Sequence, residues 1–230
     1  EDYWCQGYSE PQAGSDLAAL QLRADRDGDH YVLNGSKIWT THAHFANKMF
    51  CLVRTNRDGP RQSGITFLLL DMDTPGITVR PIRSIANDHD FNQVFFEDAR
   101  VPVSGRLGEE DQGWAVAKYL LEFERAVAHS AGLHAALEDV RAEAKAAGLD
   151  ADPSIRRKIS LIAAQIAAIE AVEFGVMSLM AKGGNPGPAS STLKIQGTET
   201  MQAIQHLAVE LAGPYAAADQ YDTRQPGSNG

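Results

Sequence analysis

The sequence predicts an α+β protein: an antiparallel β sandwich or barrel followed by an antiparallel helical bundle. Two observations carry that expectation. From residue 17 to about 108, short runs rich in β-branched and aromatic residues alternate with turn clusters, and no helical stretch separates them. From Glu109 onward the apolar residues recur at helical spacing instead. The domain boundary therefore falls between residues 108 and 109, with residues 109–230 read as an incomplete bundle.

The strand candidates, in order, are Tyr31-Val32-Leu33, Met49-Phe50-Cys51-Leu52-Val53, Ile65-Thr66-Phe67-Leu68-Leu69-Leu70, Ile77-Thr78-Val79 and Gln93-Val94-Phe95-Phe96. Turn clusters punctuate them at Asp25-Arg26-Asp27-Gly28-Asp29, Asn34-Gly35, Arg57-Asp58-Gly59-Pro60 and Thr74-Pro75-Gly76. Asp111 is placed to cap a first helix, whose apolar spacing runs through Trp114, Ala117, Leu120, Leu121, Ala128, Ala131 and Leu133. Pro153 suits the first position of a second helix carrying Ile155, Ile159, Ile162, Ile166 and Ile169 to about Met180. Gly183-Gly184-Asn185-Pro186-Gly187-Pro188 stops it. A third helix spans about Ala189 to Leu211 and ends at Gly213-Pro214; residues 219–230 are polar and loop-like. Three such helices leave apolar stripes for further chain or a second subunit to cover, which predicts an oligomer.

Composition narrows the function. Hydrophobic residues make up 43% and charged residues 22%, so a substantial core is possible. Thirty acids against 21 bases give a net charge of −9, with no Lys/Arg stripe to neutralise nucleic-acid phosphates. No uninterrupted apolar run approaches the ~20 residues of a membrane helix. Two cysteines are too few for a disulfide framework, which favours a reducing cytoplasm. The start, Glu1-Asp2-Tyr3-Trp4, reads as the middle of a longer protein.

The usual nucleotide and nucleophile motifs are absent: no Gly-x-Gly-x-x-Gly, Walker loop or Gly-x-Ser-x-Gly. His42 and His44, and His129 and His134, have no zinc spacing, so no metal site is expected. Two segments stand out. Gln6-Gly7-Tyr8-Ser9-Glu10-Pro11-Gln12-Ala13-Gly14-Ser15-Asp16 can turn several backbone N–H groups toward one polar ligand, because Gly7 and Gly14 add no side chain. Lys37-Ile38-Trp39-Thr40-Thr41 sets an indole beside two hydroxyls, which can lie against a planar ring and hydrogen-bond its edge.

Together, in this order and spacing, these segments resemble the acyl-CoA dehydrogenase family. The resemblance continues through Gly64-Ile65-Thr66-Phe67-Leu68-Leu69, Thr74-Pro75-Gly76-Ile77, Phe91-Asn92-Gln93-Val94-Phe95-Phe96-Glu97-Asp98 with Val101-Pro102, and Gly108-Glu109-Glu110-Asp111-Gln112-Gly113-Trp114. It covers about residues 3 to 215. Gln12, where the family usually has glycine, and Asn87-Asp88-His89-Asp90, where a Gly-rich turn is common, depart from the pattern.

The resemblance implies a middle β domain and most of a C-terminal bundle, without the N-terminal helical domain and the last bundle segment. It implies FAD, an acyl-CoA substrate, an electron-transfer flavoprotein as acceptor, and a homo-tetramer or dimer, or a heteromer. Gln6, Tyr8 and Ser9 would donate to the flavin's pyrimidine edge, Trp39 would flank its ring system, the Thr41 hydroxyl would reach toward its N5 region, and Thr40 would also belong to the cofactor site. Ser15 would touch the cofactor phosphate or the acyl-CoA, and the stretch from Glu122 to Arg125 would contact substrate, foremost through Arg125. Glu124 matches the α-proton base of the isovaleryl and long-chain types, and its neighbours Leu120, Leu121, Val127 and Ala128 would turn it inward. In most members that base lies in a C-terminal loop instead. The alternatives are a non-catalytic partner subunit of a heteromeric dehydrogenase, or a flavin oxidase of the same fold.

Overall fold

The computed structural model describes residues 1–85, 87–124 and 128–217. The chain divides into two compact units, Glu1–Leu120 and Leu121–Gly230. In the first unit the strands are β1 (Trp4–Gly7), β2 (Arg23–Asp27), β3 (His30–Lys37), β4 (Lys48–Arg54), β5 (Ile65–Asp71), β6 (Ile77–Ile82) and β7 (Phe91–Pro102). They form one sheet in the order β1-β4-β2-β3-β7-β6, with β5 also on β4. Tyr31, Leu33, Met49, Cys51, Val53, Leu68, Val94 and Phe96 form the centre of its core.

All five expected strands are present, and the sheet adds two. β1 alternates exposed and buried residues over only four positions, and β2 buries Ala24 alone, so neither offers a long enough pattern to read locally. Both pair with β4 in parallel, which makes the sheet mixed where an antiparallel one is expected. Parallel pairing needs a long crossover, and the β2–β3 hairpin supplies it between β1 and β4. Asn34-Gly35 is not a turn. The register between β3 and β7 shifts there as a bulge, with Gly35 at φ 144° and the Asn34 amide exchanging hydrogen bonds with Asp98.

The helices are α1 (Gly113–Glu124), α2 (Ser130–Ala146), α3 (Pro153–Ala181) and α4 (Pro188–Ala212). Asp111 does not cap α1. It sits at φ 66° and accepts from the Thr55 hydroxyl at 2.6 Å, while its own N–H donates to Thr66 Oγ1. Pro153 opens α3 as expected, with the Asp152 carboxylate accepting from the N–H groups of Ser154 and Ile155.

The single first helix expected from residue 111 to 133 is two helices, since Ala128 and His129 belong to neither α1 nor α2. The physical reason lies on α3. The buried Glu173 carboxylate accepts from His129 N at 2.5 Å and Ser130 N at 3.1 Å, so it caps α2 from another helix. Buried positions on α2 (Ser130, Leu133, Leu137, Val140, Ala144), α3 (Ile155, Ile159, Ile162, Ile166, Ile169, Glu173, Val176) and α4 (Ser190, Leu193, Gly197, Thr200, Ile204, Leu207) alternate steps of three and four. That is the repeat of helices interlocking side by side. Glu173 occupies one of these seam positions.

By length and composition α3 contains a stretch apolar enough to cross a membrane, with mean hydropathy 1.7. Its isoleucines are nonetheless confined to a seam packed among α2 and α4, the pattern of a bundle helix. Removing the seam carboxylate tests the cap. Glu173→Ala should cost about 1–3 kcal/mol through the buried N–H groups it strands, and Glu173→Gln less, since an amide oxygen still accepts. Denaturant unfolding of both variants measures the difference.

Candidate functional site

The two segments singled out in the sequence meet at one edge of the Glu1–Leu120 unit. β1 ends at Gly7, where an added Cβ would come within 2.6 Å of Met49 Sδ, so glycine is what lets β1 lie this close to β4. The chain then runs through Tyr8 and Ser9 to Glu10. The Ser9 carbonyl accepts from Ile38 N at 2.9 Å, and the Tyr8 carbonyl accepts from Lys37 Nζ at 3.0 Å. Gln6 is half-buried within β1. The Tyr8 ring is buried edge-on between Phe50 and Phe67, which anchors the loop from inside.

A buried ion pair holds this junction. Lys37 is 0% exposed and Glu10 3%, with Nζ 2.8 Å from Oε1. Glu10 also accepts from Leu22 N at 2.8 Å, Gln21 N at 2.6 Å and Gln12 Nε2 at 3.0 Å. Gln12, a departure from the family pattern, thus helps to solvate the carboxylate. Arg54 does comparable work nearby, donating to the carbonyls of Ala18, Leu20, Arg61 and Ser63. Burial lowers its proton affinity below the usual arginine range.

Residues 39–42 form a strained turn. Trp39 has φ 59° and His42 φ 57°, a left-handed conformation that costs a bulky residue about 1–3 kcal/mol unless its surroundings impose it. The strain presents the indole outward, 57% exposed, with Phe91 edge-on at 6.1 Å. Thr41 is exposed and Thr40 buried. Among the described residues the Thr40 hydroxyl has no hydrogen-bond partner.

Ser15 lies exposed on the loop between β1 and β2, beside the pair of Asp16 and Arg61. Along α1 burial falls away: Gly113 and Ala117 are buried, Leu120, Leu121 and Glu122 half-buried, Phe123 and Glu124 exposed. Glu124 therefore does not turn inward as its apolar neighbours suggest. Glycine lets the start of α1 pack on the β5 backbone, since a Cβ at Gly113 would come within 2.4 Å of Phe67 N. Glu122 accepts from Asn185 Nδ2 at 2.9 Å. Arg125 lies outside the described residues. No three His, Cys, Asp or Glu side chains among the described residues are grouped to hold a metal.

Sequence reasoning missed Asn92 and the histidines beside it. Asn92 is fully buried, and its backbone exchanges hydrogen bonds with Thr40 in both directions. His44 stacks on His89 with ring centroids 3.9 Å apart, and both hydrogen-bond the Asn92 amide. The one available signal was the unusual composition of residues 87–90.

The sequence pattern described as "Acyl-CoA dehydrogenase, middle domain" matches residues 5–99, and "Acyl-CoA dehydrogenase, C-terminal domain" matches residues 111–225. Acyl-CoA dehydrogenase FadE29 of Mycobacterium tuberculosis is 35% identical over 98% of this chain and 59% of its own length. Among solved structures, the ChsE4-ChsE5 complex from Mycobacterium tuberculosis superposes with a TM-score of 0.83 at 30% identity, covering 99% of this chain and 59% of that one. The "Tcur3481-Tcur3483 steroid ACAD" gives 0.85 at 30% identity, covering 98% and 57%. The chain thus spans little more than half the length of these relatives.

The buried pair yields a sharp expectation. Lys37→Met leaves the Glu10 charge without its ammonium partner and should destabilise the protein by about 3–5 kcal/mol, while Glu10→Gln with Lys37→Met together should recover much of that loss. A double-mutant cycle by denaturant unfolding measures it.

Proposed function

Since the chain belongs to the acyl-CoA dehydrogenase family, we propose that the full-length protein binds FAD and dehydrogenates an acyl-CoA thioester between its α and β carbons. The observation that carries the cofactor reading is the turn at residues 39–42. It spends backbone strain to expose an indole face, leaves Thr41 exposed two positions on, and among the described residues leaves the Thr40 hydroxyl without a partner. A flat heteroaromatic ring with acceptors along its edge fits that set.

In this reading Gln6, Tyr8 and Ser9 donate to the pyrimidine edge, Trp39 flanks the ring system, Thr41 reaches toward its N5 side, and Thr40 belongs to the same cofactor site. FAD, when bound, supplies the acceptor for the hydride that leaves the β-carbon. The chain's own work is to orient and to move a proton. Donors at the pyrimidine edge favour negative charge there, which makes hydride acceptance easier. Ser15 holds a phosphate of cofactor or substrate, and Glu122 and Arg125 position the thioester. Glu124 takes the α-proton. That proton is weakly acidic, so the base needs a site from which substrate excludes water. The exposure of Glu124 in this chain means that bound acyl-CoA itself would provide the desolvation.

The acceptor of the electrons is an electron-transfer flavoprotein in this reading. A heteromer is favoured by a specific likeness: one matched structure is named as the ChsE4-ChsE5 complex, and another carries the paired name Tcur3481-Tcur3483. The second of these is called a steroid enzyme, which makes steroid-derived acyl-CoA the first substrate class to try.

Denaturing the full-length protein should release FAD; recovery of no flavin, or of FMN, overturns the cofactor reading. Glu124→Gln should retain FAD while anaerobic bleaching by acyl-CoA slows by about 10²–10⁴-fold. Near-normal bleaching would assign the base to another residue.

A further inference from the structure

Asn92 sits where the first strained turn meets β7, and its side chain has a partner for each of its atoms. Nδ2 donates to the Thr40 carbonyl at 3.1 Å and to His44 Nδ1 at 3.0 Å, with the Asp90 carbonyl a longer third acceptor at 3.4 Å, while Oδ1 faces His89 Nε2 at 2.9 Å. The amide cannot be turned round, because its oxygen would then face the Thr40 carbonyl oxygen. Two consequences follow for the histidines. His89 must carry its proton on Nε2, and His44 must keep Nδ1 bare, so His44 is neutral. Backbone bonds complete the clamp: Thr40 N to Asn92 O at 2.9 Å, Asn92 N to Thr40 O at 3.1 Å, and His42 N to Asp90 O at 2.8 Å.

We propose that Asn92 is the positioning residue for the turn at residues 39–42, and that it holds this turn only while His44 is neutral. The proposal rests on the reading of that turn as flavin-facing, and extends it to a dependence on pH. Protonating His44 puts an N–H against the Asn92 amide hydrogens, and the bonds through the Asn92 side chain give way. Trp39 and His42 are in left-handed backbone that only their surroundings impose, so loss of the clamp lets the turn relax and the indole leave its place.

The groups around His44 act in opposite directions. Burial, then the cations that His89 and His42 can become, lower its proton affinity; a hydrogen bond to Asn92, which favours the cation only if the amide oxygen faces the ring, and then Asp90, 3.7 Å from His42, act the other way, and the net direction is down. The Tyr3 hydroxyl bonds His42 Nδ1 at 3.0 Å. His44 and His89 line a cavity of about 770 Å³, so both are open to protons from water. Its other charged lining groups are Asp2, Asp73 and the mutually paired Lys48 and Asp71. A histidine whose proton affinity is lowered in the folded state contributes stability that is present above its ordinary pKa of about 6.5 and lost as pH falls below it.

The test uses the full-length protein and two readouts, FAD affinity and hydrogen-exchange protection of the amides of residues 40–42, each between pH 7.5 and 5.5. For the natural protein, acidification should weaken FAD binding several-fold, up to the roughly tenfold that one histidine of ordinary pKa can supply over this range, and lower protection in step. His44→Asn keeps an acceptor near the place of Nδ1 but cannot be protonated, so both changes should shrink to less than twofold. Asn92→Ala should show weak binding and low protection already at pH 7.5, with no further fall. The proposal is overturned if His44→Asn keeps the natural pH profile, or if folded Asn92→Ala keeps natural protection at pH 7.5. Should Asn92→Ala fail to fold, His44→Asn decides alone. A protein that never binds FAD refutes the flavin reading, while the exchange data still judge the clamp.

Discussion

The ammonium of Lys37 and the carboxylate of Glu10 lie together out of water, and the candidate site is arranged around that fact. Each charge would cost several kcal/mol to bury alone. The cost is bearable only with a full set of partners, and the partners are backbone groups of the segments that must be brought together. Lys37, the last residue of β3, reaches the Tyr8 carbonyl; Glu10 gathers the N–H groups of Gln21 and Leu22. The loop after β1, the start of the exposed turn and the approach to β2 are thereby held in one arrangement.

The same device recurs in the second unit. Glu173 is a carboxylate at a seam position of α3, and it also accepts from two consecutive backbone N–H groups, those of His129 and Ser130. In both places a buried charge fixes where a neighbouring segment begins or turns. Apolar packing could fill either volume, but it is non-directional and would not fix a backbone to within a hydrogen bond.

Membership of the acyl-CoA dehydrogenase family gives these devices a setting. The β unit carries Ser15 and the residues proposed to hold flavin, and the end of α1 carries Glu122 and Glu124, proposed for substrate and proton transfer. Departures from the family pattern are as informative as agreements. Gln12 joins the Glu10 cluster, and His89, in place of a Gly-rich turn, joins the amide of Asn92.

The sequence by itself determined the α+β class, the five longer strands, the isoleucine seam of α3 and the two motif segments, because each is written in local spacing that backbone geometry enforces. Tertiary structure alone decided the parallel placing of β1 and β2, the bulge at Asn34-Gly35, the break before α2 and the exposure of Glu124. Their causes lie far along the chain. Glu10 meets Lys37 across 27 positions, Glu173 meets His129 across 44, and Asn92 meets Thr40 across 52. A hydrogen bond between distant residues leaves no periodic trace in either segment, so only the folded chain shows which polar side chains are buried together.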